Sequence, residues 1–348
     1  MKLGLNLGYW GAGNDAENLV LAQEADQLGY SVVWAAEAYG SDAATVLTWI
    51  AAQTESIDVG SAVFQIPGRT PANTAMTAAT LDTLSQGRFR LGLGVSGPQV
   101  SEGWHGVRFD KPLTRTREYV DIVRMALARE RVRYEGECFT LPLPDGPGKA
   151  LTLTVHPVRD RIPIYLAAIG PKNLALTGEI ADGWLAIFYA PEHSQDIMSP
   201  LVEARIAAGR DMSDFDVVPT VPVVLGDDPA TCADPVRFYS ALYIGGMGSK
   251  ERNFYHQLAC RMGYEDAAGE IQDRYLAKEY DAAMAAVPFD FMDRTALLGP
   301  PDRVRERLQA YADAGVTTLS IGLYAGDLEE KRHTLRTMVE LMDQAGLA

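Results

Sequence analysis

The sequence predicts a (β/α)8 TIM barrel with insertion segments, an α/β fold. Three observations lead there. Short apolar stretches alternate with helix-like stretches along nearly all of the 348 residues. Eight of the apolar stretches read as strands, the number a closed parallel barrel accommodates. No low-complexity tract, short internal repeat or linker divides the chain, so residues 1–348 read as one domain. A doubly wound open sheet shares the alternation and is the structural runner-up.

The elements follow in order. "LGLNLG" (3–8) and "SVVWAAE" (31–37) are strand-like, and "AENLVLAQEADQLGY" between them spaces its apolar residues as a helix ending near Gly29. A helix at about 42–55, the strand "IDVGSAVFQI" (57–66), a helix from Pro71 to Gln86 and the strand "RFRLGLGVS" (88–96) continue the pattern. A long helix (115–133) then leads into a polar stretch rich in proline and glycine, "LPLPDGPGKALTLTVHP", read as part of an insertion at about 134–162. The fifth strand is "IPIYLAAIG", followed by "GWLAIF" (183–188), "FDVVPTVPVVLG" (215–226) and "TTLSIGL" (317–323). Residues 229–300 are mostly helical in pattern and form an extension before a helix at 301–314.

Composition narrows the function. No apolar run approaches the roughly 20 residues of a membrane helix. The start "MKLGLNLGYW" reads as a strand and not a signal peptide, so a cytoplasmic protein with no membrane partner is expected. Cys138, Cys232 and Cys260 are odd in number and widely spaced, which disfavours disulfides or a CxxC metal site and leaves buried apolar filler. A net charge of −15 opposes nucleic-acid binding, which needs clustered cations on phosphates, so a small molecule is the expected partner.

In a TIM barrel the site lies where strands end. Those ends are poor in reactive groups: Glu37 after strand two, then Ser96 and Gly97, Ala168 and Ile169, Phe188 and Tyr189, and Gly322. No second carboxylate opposes Glu37, so a glycosidase pair is missing. No lysine falls at a strand end, and the five histidines are dispersed, so no metal site is expected. A borrowed redox cofactor is the economical explanation. "GLGVSG" (92–97) matches a dinucleotide fingerprint, but Pro98 follows, no clear helix opens at once, and no acidic residue ends a suitable second strand. In "IYLAAIGPKN" (164–173), Gly170 can cap a helix, Pro171 suits its first position, and the amides of Lys172 and Asn173 can hold an anion. The same residues also suit an ordinary turn with a surface lysine.

Four segments in order, "EADQLGYSVVWAAEAYG", "IDVGSAVFQIPGRTPANTAMTAATLDTLSQGRFRLGLGVSGP", "IPIYLAAIGPKNLALTGEIADGW" and "LLGPPDRVRERLQAYADAGVTTLSI", resemble the bacterial luciferase-like superfamily, in particular its coenzyme F420-dependent oxidoreductases. The resemblance implies a non-proline cis peptide joining Ala62 and Val63 behind the deazaflavin ring. It places Gln65, Ser96, Gly97 and Ser101 against the ring or its ribityl chain, Glu37 beside the cofactor, and Ile169, Gly170, Lys172 and Asn173 at its phosphate. The sugar-phosphate dehydrogenase branch has a histidine, a glutamate and an asparagine where this chain has Ala38, Pro98 and Ser101, so that proton chemistry is not expected. The expected reaction is hydride transfer between deazaflavin C5 and a small electron-poor substrate, with Tyr9, Trp10, Tyr39, Trp104, His105 and Tyr189 as lining groups and Tyr39 or His105 as proton donor. The alternatives are an FMN-dependent monooxygenase and a non-enzymatic F420- or flavin-binding protein. A homodimer is expected, and residues 134–162 and 229–300 are where substrate choice should reside.

Overall fold

The computed structural model describes residues 1–10 and 15–348, and among them eight parallel strands close a barrel. They are β1 (Lys2–Asn6), β2 (Val32–Ala35), β3 (Asp58–Ser61), β4 (Phe89–Gly94), β5 (Ile164–Ala167), β6 (Gly183–Ile187), β7 (Asp216–Leu225) and β8 (Thr318–Leu323). Closure is direct, because β1 pairs with both β2 and β8 and β7 pairs with both β6 and β8, which gives each of the eight strands a neighbour on either side. An open sheet is thereby excluded. The helices are α1 (Asp15–Gln27), α2 (Ala43–Ala51), α3 (Pro71–Leu84), α4 (Pro112–Leu127), α5 (Pro171–Ile180), α6 (Ser194–Ala207), α7 (Pro301–Asp313) and α8 (Leu328–Gln344). Local chemistry starts several of them. Asp42 caps α2 by accepting from the Thr45 amide, and Asp327 and Glu330 form a reciprocal capping box on α8.

Several boundaries differ from the sequence expectation. The third strand stops at Ser61, the Ala62–Val63 peptide is cis, and pairing with β4 resumes at Phe64 and Gln65. A short helix, Pro98–Gly103, opens directly after the glycine-rich stretch where none was expected, since proline suits a first helical position. Helix α4 starts three residues early and ends at Leu127, with Arg129 in a left-handed conformation (φ 58°). Three residues beside β7, Leu297–Gly299, form a strand too short to show a period. Of the cysteines only Cys232 is buried. Residues 134–162 contain a small hairpin, Tyr134–Glu135 with Thr140–Leu141, whose turn is held by Glu118 accepting from the amides of Glu137, Cys138 and Phe139 at 2.7, 2.8 and 3.0 Å. The helices of 229–300 pack a second apolar core around Phe188, Val224 and Leu298. No helix among the described residues is long and apolar enough to cross a membrane.

The barrel is filled from below. Arg90 donates to Asp58 at 2.7 Å and to Asp216 at 3.2 Å, and Tyr165 donates to Asp216 at 2.9 Å, giving a charged floor whose groups are mutually satisfied. Trp34 lies above it, edge-on to Tyr165 with centroids 5.3 Å apart. Gly60 makes room for that indole, since a Cβ there would stand 2.3 Å from the ring. Where β3 breaks, a side chain replaces the backbone ladder: the Ser61 hydroxyl donates to the Gly92 carbonyl at 2.8 Å and accepts from the Gly92 amide at 2.9 Å. By the alternation of strand side chains, the topmost inward positions include the small Gly94, Ala167 and Gly322 and the larger Asn6 and Ile187, with Ala62 just past β3.

Glu24 ties the first helix to the last. Its carboxylate accepts from Arg332 and Arg336, at 2.9 and 2.7 Å. Burial pushes the Glu24 carboxyl up, but the hydrogen bonds from Arg336 and Arg332 outweigh it and hold it below the usual range. A depressed carboxyl stabilises the fold above its ordinary pKa of about 4.3, and this contribution is lost as pH falls through the lower folded value. Glu24→Gln should therefore cost about 2 kcal/mol at neutral pH. Thermal melts of both proteins should show the gap shrinking as pH is lowered from about 5 toward 3, and a gap independent of pH would refute the assignment.

Candidate active site

Three strand ends are linked by one chain of hydrogen bonds. Glu37, two residues past β2, accepts from the amides of Ala43 and Gln65, each at 3.1 Å, and forms an ion pair with Arg69. Arg69 also pairs with Asp42 and lies 4.4 Å over the Phe64 ring. Gln65, buried, donates its side-chain amide to the Ala38 carbonyl and accepts from the Ser96 hydroxyl at 2.7 Å. Ser96 holds a left-handed backbone (φ 63°), which turns its hydroxyl toward Gln65. Glu37, Gln65 and Ser96 are thus brought together, with half-buried Ala62 and Val63 beside them. Gly97 caps the short helix, and Ser101 stands apart: its buried hydroxyl donates to the Val107 carbonyl at 2.7 Å and holds that loop.

Next to this chain is a cavity of about 430 Å³ lined by Glu37, Tyr39, Asp42, Arg69, Asn73 and His105 among others. Tyr39 and His105 both face it, so the two expected proton donors stand on the side of the mouth formed by β2 and β3. The buried Nε2 of His105 has no hydrogen-bond partner among the described residues. Trp104 is exposed. Two other expected lining groups point elsewhere. Trp10 packs edge-on against Trp49 of α2, with centroids 5.6 Å apart. Tyr189 donates to the Ala314 carbonyl at 2.6 Å in the layer between barrel and helices. The physical reason at Tyr189 is Phe188, whose left-handed backbone (φ 50°) breaks the strand alternation, so Phe188 is the residue that packs with the extension.

The turn after β5 is also more particular than its sequence suggested. Gly170 precedes α5 and Pro171 opens it, but the Asn173 amide donates to the Gly170 carbonyl at 3.0 Å and is not free for an anion. The Lys172 amide has no backbone acceptor among the described residues, and its side chain is exposed. Asn173 Oδ1 is buried without a partner, and a Cβ on Gly170 would meet nothing within 4 Å, so the turn presents open space and an unused acceptor. Ile169 is capped from a distance: Arg261 donates to its carbonyl at 3.0 Å. Arg261 lies 92 residues further along, and no sequence spacing could have paired it with this turn.

The remaining side of the mouth is aromatic. Tyr9, Phe188 and Tyr324 follow β1, β6 and β8, and Tyr239, Tyr243 and Tyr255 approach from the helical extension. The mouth therefore has a polar half built by β2 to β5 and a phenolic half built by β1, β6 and β8. The sequence singles out Tyr9, Phe188 and the segment 229–300 but not Tyr239, Tyr243, Tyr255 or Tyr324, because their convergence is purely tertiary.

The luciferase-like monooxygenase family model matches residues 9–318. A Mycobacterium tuberculosis protein named as a candidate coenzyme F420-dependent oxidoreductase is 45% identical over 339 residues, covering 95% of this chain and 97% of that one. The 5,10-methylenetetrahydromethanopterin reductase of Methanolobus tindarius is 29% identical, covering 89% and 91% of the two chains. Among solved structures, the coenzyme F420 dependent tetrahydromethanopterin reductase from Methanopyrus kandleri superposes with a TM-score of 0.82 at 23% identity, covering 97% of each chain.

Proposed function

Because the chain belongs to the luciferase-like monooxygenase family, we propose that it is a coenzyme F420-dependent oxidoreductase that moves a hydride between deazaflavin C5 and a small electron-poor organic substrate. The observation that carries this reading is the state of Glu37. The carboxylate that the sequence singles out at the mouth is engaged by two amides and Arg69, which commits it to organising the site. The chemistry is then brought by a cofactor, and the relatives named for F420 favour that one over FMN.

The residues present suit such a group. Gln65 and Ser96 are fixed in orientation by each other and by Glu37, so they can receive the polar edge of a flat ring without rearranging. Lys172, with its free amide at the start of α5, would hold a phosphate. The unpartnered Asn173 Oδ1 suits a hydroxyl of a ribityl chain, and Arg261 adds a second positive charge at the turn. The cofactor when bound supplies the hydride-bearing carbon; the chain supplies position, polarity and exclusion of water.

Parallel fluorescence and absorbance titrations with F420 and FMN test the reading. F420 should bind the more tightly, and tight binding of FMN alone would defeat the proposal. Lys172→Ala should weaken F420 about tenfold at low salt, the loss expected for one charge-assisted contact, and by less as salt screens it. An unchanged Kd in that variant would remove Lys172 from the phosphate site.

A further inference from the structure

Six aromatic rings pack in contact beside one half of the barrel mouth, with Phe188 and Tyr239 buried beneath the others. Tyr239 stands 5.1 Å from Tyr324 and 4.8 Å from Tyr243, centroid to centroid; Tyr243 is 4.8 Å from Tyr255, and Phe188 is 5.4 Å from Tyr239. Tyr9 completes the set, its hydroxyl 3.4 Å from that of Tyr243. The hydroxyls of Tyr239, Tyr255 and Tyr324 have no hydrogen-bond partner among the described residues, and Tyr243 has only that of Tyr9. Phenols that pack ring against ring with their donors unused are matched by an acceptor that a ligand brings.

The scaffold is built to hold these rings. Tyr243 sits in a π-helical turn, Leu242–Gly246, a local irregularity often found at functional sites. Buried Asn253 clamps that turn, donating to the carbonyls of Tyr243 and Ile244 at 3.0 and 2.8 Å while accepting from the amides of Tyr255 and His256 at 2.9 Å. Gly245 and Gly246 let the turn lie on Tyr275, since a Cβ at either would come within 2.5 Å of that side chain. Gly322 does the same for Tyr324, with a Cβ position 2.8 Å from its ring.

We propose that this phenolic half of the mouth is the substrate subsite, that it takes an uncharged planar substrate, and that the Tyr243 hydroxyl gives its proton to the substrate's carbonyl oxygen or imine nitrogen. Planar partners match the edge-on and tilted rings, and phenols donate hydrogen bonds without the counter-charge that a carboxylate substrate would need. Burial holds the Tyr239 and Tyr243 phenols well above their ordinary pKa, so they remain donors. The proton step rests on the proposed function, with reduced deazaflavin as the two-electron donor. The bound cofactor would supply the hydride from its C5–H bond, which would break as the substrate's C–H bond forms and the π pair of the C=O or C=N bond moves to the heteroatom. The O–H bond of Tyr243 then breaks and the heteroatom takes the proton. The Tyr9 hydroxyl restores the proton on Tyr243, and water restores that on Tyr9, which is 41% exposed. The substrate gains two electrons and two hydrogens, and the deazaflavin is oxidised.

Binding to cofactor-free protein separates this inference from the choice of cofactor. Calorimetric titrations would use 2-naphthaldehyde, 2-naphthoate (the same rings with a charge) and 2-vinylnaphthalene (the same shape without an acceptor). The aldehyde should bind at least about tenfold more tightly than either analogue, and Tyr243→Phe should remove that advantage while leaving F420 affinity unchanged. Equal affinity for all three compounds in the wild-type protein would overturn the proposal even if the variant failed to fold. So would an unchanged aldehyde Kd in a folded Y243F. Should the aldehyde bind as expected while F420 does not, the subsite stands and the cofactor reading falls.

Discussion

Gly92→Ala should lower the melting temperature by roughly 4 °C or more, corresponding to at least about 3 kcal/mol for a chain of this size, or should prevent accumulation of folded protein. A Cβ at Gly92 would lie 1.8 Å from the Ser61 carbonyl oxygen and 2.8 Å from a Leu185 methyl. The first of these is backbone, so no rotamer change relieves it. Ser61 cannot retreat either, because its hydroxyl exchanges two hydrogen bonds with the Gly92 backbone in place of a strand ladder. Overpacking here would therefore separate β3 from β4 directly beneath the proposed ring site. Gly170→Ala is the sterically matched control, since its Cβ meets nothing within 4 Å, and the poorer helix cap and the reduced freedom of the unfolded chain oppose each other to within about 1 kcal/mol. Scanning calorimetry decides the matter: a melting temperature for G92A within about 2 °C of wild type would show that the barrel yields more than this geometry allows.

Glu37→Ala should have the second largest effect, and it should be felt twice. Arg69, whose side chain is only 13% exposed, would keep Asp42 alone as its partner, and the amides of Ala43 and Gln65 would lose their acceptor. Breaking a buried pair costs about 3–5 kcal/mol, and the surviving Asp42 contact places the expected loss near the lower figure. The second effect is on F420 affinity, which should fall at least about tenfold because the Gln65 backbone, which carries the side chain bonded to Ser96, would lose its anchor. Chemical denaturation and the F420 titration measure the two effects separately. A destabilised variant with unchanged F420 affinity would reduce Glu37 to a brace between α2 and Arg69.

The eight-stranded rhythm was legible because a parallel barrel buries each strand on both faces and each helix on one, and both patterns survive in local sequence. The cis bond between Ala62 and Val63 and the gathering of Gln65 and Ser96 beside Glu37 followed from the likeness of whole segments, not from any single spacing. What stayed hidden has identifiable causes. Phe188 reverses the strand alternation by one left-handed residue, so it exchanges places with Tyr189. The Asn173 amide looked free because only coordinates reveal that the Gly170 carbonyl turns to accept it. Arg261, Asn253 and the tyrosines of the extension act through contacts between segments far apart in sequence, where composition says helix and nothing about what the helix faces.

The charged floor of Arg90, Asp58 and Asp216, roofed by Trp34, makes the barrel a vessel with one opening. Whatever enters the mouth must also leave by it. If the polar half holds a cofactor and the phenolic half a substrate, the two are loaded and emptied through the same doorway.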